Sequence, residues 1–65
     1  MPVDPGKYDA QATVVRRATN ARAVVVIVLG GDKGPGFSVQ ADSDVVYRLP
    51  EMLRRVATKI EENLP

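Results

Sequence analysis

The chain has 65 residues, nine Lys and Arg against eight Asp and Glu, and neither Cys nor His. Those counts exclude disulfides, zinc sites built on Cys or His, and a strong overall field drawing the protein to nucleic acid or anionic membrane. A chain this short hides only about 60% of the surface it exposes when unfolded, so oligomerisation is the support left to it.

The start, Met1-Pro2-Val3-Asp4-Pro5-Gly6, is turn-rich. Asp4 before Pro5 has the form of an N-cap with proline in the first helical position. A first helix is therefore expected from about Pro5 or Lys7 to Thr19, with Tyr8, Ala12, Val15 and Ala18 in a thin, Ala-rich apolar stripe. Asn20 accepts the left-handed conformation and is the expected stop.

Ala23 to Leu29 holds five β-branched residues in seven and ends at Gly30-Gly31, which favours a strand. It is far short of the roughly 20 apolar residues that cross a bilayer, so the expectation is a soluble, cytoplasmic protein with no membrane partner. Being apolar on both faces, the strand should be covered on both sides or lie centrally in a sheet. Phe37-Ser38-Val39-Gln40-Ala41 alternates, with Phe37, Val39 and Ala41 on one face and Ser38 and Gln40 on the less buried one. The two strands should pair antiparallel through the loop between them.

That loop carries Gly30, Gly31, Gly34 and Gly36 with Lys33 and Pro35. A Walker A loop needs Gly, four residues, then Gly-Lys-Ser/Thr entering a helix. From Gly30 the second glycine falls on Pro35; from Gly31 it falls on Gly36, but Phe37 stands where lysine is needed. The dinucleotide pattern fits Gly34 and Gly36 and fails at Val39. Both templates also end on a helix N-terminus, whereas this loop enters a strand. The primary reading is a hairpin connection with glycines at positive φ. Asp32, Lys33, Gly34, Pro35 and Gly36 are the candidate contacts for a protein partner or, as a weak nest, for an anion.

Asp42-Ser43-Asp44 offers two carboxylates, but Val46 and Tyr47 stand where an EF-hand would need a third oxygen ligand and a glycine. A turn or cap is favoured for these carboxylates; residues 42–48 fit either a strand extended past a bulge or a short turn or helix capped by Ser43 or Asp44, and extended structure leading into a turn is the preferred of the two. No metal or cofactor is implied, and no acid-base pair is placed together by the sequence, so an enzyme is not expected.

Pro50 suits a first helical turn, and the last helix should run from about Pro50 to Asn63. Its stripe of Leu49, Met52, Leu53, Val56, Ile60 and Leu64 is core by default, or an interface if the core continues across a dimer. Arg16-Arg17 with Arg54-Arg55 and Lys59 would form one basic face, and make nucleic acid conceivable, only if both helices covered the same side of the sheet. Interleaved Glu51, Glu61 and Glu62 and the scarcity of aromatics favour a solvated face instead.

The expected fold is α+β, helix-strand-strand-helix: a two-stranded antiparallel hairpin covered by two helices in a single domain over 1–65. Because a lone hairpin is marginal, a twofold homodimer should complete the sheet and core, either by aligning edge strands or by packing sheet faces together, with Val24, Val26, Val28 and Val39 as candidate interface residues. The block from Gly30 to Gln40, followed by Leu49-Pro50-Glu51-Met52-Leu53-Arg54-Arg55, resembles short uncharacterised proteins of proteobacterial and phage genomes. That resemblance implies a bacterial or prophage origin and carries no functional residue with it. The function expected from the whole is a non-enzymatic, homodimeric interaction or regulatory module with a protein partner. The alternative is weak anion, nucleotide or nucleic-acid binding by the loop and the arginine pairs.

Overall fold

A computed structural model describes residues 4–65, with side chains from residue 6 onward. The turn expected over Met1 to Val3 lies outside the described residues. Asp4–Pro5 is a short strand, β1, rather than a helix cap. It pairs parallel with the second hairpin strand, so the sheet has three strands instead of two. Proline is admissible there because β1 is an edge strand. Gly6, at φ +83, donates its amide to Phe37 O at 2.8 Å and turns the chain out of the sheet. This turn delays helix α1 to Asp9–Thr19. Asn20, at φ 56 and ψ 36, closes α1 in the left-handed conformation, as its sequence position predicts.

The hairpin consists of β2, Ala23–Val28, and β3, Gly36–Ala41, paired antiparallel with Val24 opposite Gln40 and Val26 opposite Ser38. Sheet order is β1-β3-β2, so β2 lies at an edge and not at the centre, one of the two placements expected from its apolar faces, the other being cover on both sides. Asp42 N donates to Arg22 O at 2.9 Å. Antiparallel alternation from that pair turns the backbone groups of Val24, Val26 and Val28 toward β3 and those of Ala23, Val25 and Ile27 toward the open edge.

Helix α1 lies on the sheet face that carries Ser38 and Gln40. Ser38, fully buried, donates its hydroxyl to the Asp9 carboxylate. Gln40 Nε2 donates to Thr13 Oγ1 at 2.9 Å and to Asp9 O at 3.2 Å. Tyr8 and Ala12 are the buried apolar residues of this layer, and Ala12 lets the helix approach closely. Val15 and Ala18, expected in the same stripe, remain exposed. The covered face of β3 is thus the polar one, the reverse of the expected burial.

Residues 42–48 are turned, not extended. Asp42 O accepts from Val45 N at 3.0 Å and Val46 N at 3.1 Å, while its carboxylate is held by Arg16 at 2.6 Å and Arg22 at 3.2 Å. The chain so captured runs through a 3-10 turn, Val46–Arg48, straight into helix α2, Leu49–Glu62. Pro50 stands in the first turn of α2, and Arg55 pairs with Glu51 at 3.0 Å one turn back, local terms that favour the helix. Every residue of α2 after Leu49 is exposed, so the stripe expected to be core is not covered within the chain. One helix, not two, covers the hairpin.

Candidate functional site

The glycine loop is built by its neighbours across the fold. Gly34 N donates to Gly31 O at 2.9 Å, closing a turn with Asp32 and Lys33 at its tip. Gly30 and Gly34 take φ +70 and +83, angles that a Cβ would strain, which is the reason for glycine at both positions. The turn folds back on the start of α1, where Lys7 Nζ donates to Lys33 O at 2.7 Å and to Pro35 O at 3.4 Å. Tyr8 Oη donates to Gly34 O at 2.5 Å, and Lys33 Nζ lies 6.0 Å from the Tyr8 ring centroid.

Three successive carbonyls, from Lys33 to Pro35, therefore face cationic or hydroxyl donors on the inner side of the loop. A phosphate nest requires converging amides there, and this loop presents the opposite polarity. Asp32 and Lys33 are exposed, Gly34 and Pro35 are half-buried, and Gly36 is buried in β3. The five residues singled out in the sequence thus divide between an exposed tip and a structural base.

The basic residues expected on one face do not share it: Arg16 and Arg17 belong to α1, and Arg54, Arg55 and Lys59 to α2. Arg16 is turned to Asp42 and to the carbonyls of Ala21 and Arg22, both at 3.3 Å, and so holds the α1–β2 connection. Arg54, Arg55 and Lys59 belong to α2, whose Leu53 borders the opposite side of the sheet from α1. Arg22 bridges Asp44 and Asp42, and those hydrogen bonds, Asp44 first, raise its guanidinium pKa above the ordinary value. Both carboxylates of Asp42-Ser43-Asp44 are accordingly committed to arginines. Among the described residues no group of three or more acidic, Cys or His side chains is placed to hold a metal ion. No described helix is long and apolar enough to cross a membrane.

The most conspicuous surface is apolar. Ala23, Val25, Ile27, Phe37, Val39 and Ala41 form the sheet face turned away from α1, as the strand register requires. Ile27 is 63% exposed and Val39 44%, and Leu29, just past β2, is 81% exposed. A shallow cleft of about 250 Å³ runs over Val25, Ile27, Leu29, Phe37 and Val39 and is bordered on one side by Leu53. A second, of about 530 Å³, runs along α2 alone, past Met52, Val56, Ile60 and Leu64. A third, of about 470 Å³, lies where α2 leaves the sheet, between Arg22, Ala23, Arg48 and Met52.

Of the four expected interface residues, Val24, Val26 and Val28 are half-buried on the face that α1 covers, and Val39 lies on the open face. The open-face residues Val25, Ile27 and Phe37 were legible only in part. The alternation of β3 separates Phe37 and Val39 from Ser38 and Gln40, but an all-apolar β2 gives no sign of which face its helix will choose.

The chain matches no protein family, no curated protein and no solved structure.

Proposed function

We propose that this protein is a non-enzymatic interaction module of bacterial or prophage origin that works as a homodimer and presents its glycine loops and helix surfaces to a protein partner. The observation that carries the reading is the inversion of burial in β3: α1 covers Ser38 and Gln40, while Phe37, Val39 and Ala41 lie on the face that only the first turns of α2 border. A sheet is stable when its apolar face is packed against another layer, so the pattern is that of a protein whose second layer comes from outside the chain. A contiguous exposed apolar face marks an association site. The origin rests on the resemblance of the loop and the start of α2 to short bacterial and phage proteins.

Sedimentation equilibrium at micromolar concentration, at low and high salt, tests the reading. A dimer whose affinity is insensitive to salt is expected, because the surface to be covered is apolar. A folded monomer would overturn it. Titration with ATP, RNA and single- and double-stranded DNA at low salt tests the anion alternative, for which binding that weakens steeply with salt is the signature.

A further inference from the structure

Building on the homodimer reading, we infer that two copies exchange their C-terminal helices, the α2 stripe of each lying across the open sheet face of the other. The residues brought together are Val56 and Ile60 of one copy and Ile27, Leu29 and Val39 of its partner copy.

The size of the uncovered surface points to a partner as large as a standard interface. A compact protein of 7.0 kDa exposes about 4,000 Å², whereas this chain exposes 5169 Å². The surplus of roughly 1,100 Å² exceeds the about 800 Å² that each partner contributes to a stable interface. The radius of gyration agrees: 12.7 Å, against about 10.7 Å for a compact chain of this length.

Two elements with exposed apolar residues would cover one another, a sheet face carrying Ile27 and Val39 and a helix carrying Met52, Val56 and Ile60. Helix on sheet is the layer arrangement each of them lacks. In the observed path the chain borders its own sheet face only with the first turns of α2, which issues directly from the 3-10 turn beside the Arg22–Asp42–Asp44 cluster: Leu49 and Met52 lie by Ala23, and Leu53 by Val25, Ile27 and Val39. Beyond Leu53 the stripe borders a cleft lined by α2 itself. Pairing the β2 edges would satisfy the outward backbone groups of Ala23, Val25 and Ile27 and leave the face as bare as before. A twofold exchange covers both stripes and both faces with one contact used twice, whereas a foreign partner would have to supply a helix and a sheet together.

The chain has no cysteine, so introduced thiols report without background. Ile27→Cys and Ile60→Cys chains, co-refolded as a mixture and treated with a short bismaleimide, should yield a cross-linked pair containing one chain of each kind. Leu29→Cys with Val56→Cys provides a second pair, should the first variant fold poorly. Ile60→Glu should weaken dimerisation at least about a hundredfold. A dimer that gives neither mixed cross-link, or in which Ile60→Cys chains link only to each other, overturns the exchange and leaves the homodimer standing. A monomer in which the double variant Ile27→Cys/Ile60→Cys links within one chain overturns both.

Discussion

Ile27→Thr separates the stability of the single chain from that of the assembly. Threonine keeps the β-branch, so strand propensity in β2 is preserved. In the chain alone the residue is 63% exposed, in a shallow cleft bordered by Leu53. Burying an isoleucine fully is worth about 1.5–3 kcal/mol, so covering the exposed fraction contributes about 1–2 kcal/mol per copy. A twofold interface contains the residue twice, and the substitution should therefore weaken dimerisation by about 2–4 kcal/mol, roughly 30- to 1,000-fold in Kd. Sedimentation equilibrium of the variant beside the parent measures the ratio, and far-ultraviolet circular dichroism checks that the fold persists. A dimer whose Kd changes by less than about threefold would refute the placement of Ile27 beneath a partner.

Other expectations concern the layer that the chain builds for itself. Ser38→Ala should cost about 1 kcal/mol in urea denaturation, because the exposed Asp9 carboxylate regains water, whereas Asp9→Ala should cost about 2 kcal/mol by leaving a buried hydroxyl without its acceptor. The double variant should show less than the sum of the two losses. A Cβ at Gly31 would stand 2.7 Å from Val28 Cγ1 and 3.0 Å from Tyr8 Oη, so Gly31→Ala should destabilise by about 1–3 kcal/mol and raise hydrogen exchange in the loop. Arg16→Met should lose about 1 kcal/mol, and part of the loss should persist at high salt because two of the three acceptors are backbone carbonyls.

The sequence announced the elements better than their arrangement. The β-branched run, the left-handed stop at Asn20 and the proline-led second helix each follow from local chemistry, and each lies within a few residues of its expected place. The N-terminus departs because Asp4-Pro5 satisfies the rule for a helix start, yet the parallel pairing with β3 and the positive φ of Gly6 take precedence. Residues 42–48 take the turned alternative and not the preferred extended one, because Asp42 is gathered by two arginines distant in sequence, a contact that the local turn signal alone does not supply. The choice of sheet face was hidden for a related reason. Asp9 and Thr13 present polar groups to β3, and these select Ser38 and Gln40 over the apolar side. The open apolar face, which is the candidate site, becomes visible only once that choice is known.

The central claim is that this face belongs to a core completed by a second copy, and the concentration dependence of unfolding tests it most directly. If folding and pairing are coupled, the urea midpoint should rise steadily as chain concentration is raised, since mass action favours the assembled form. A midpoint that stays fixed over a hundredfold range of concentration, with the chain folded throughout, would contradict it.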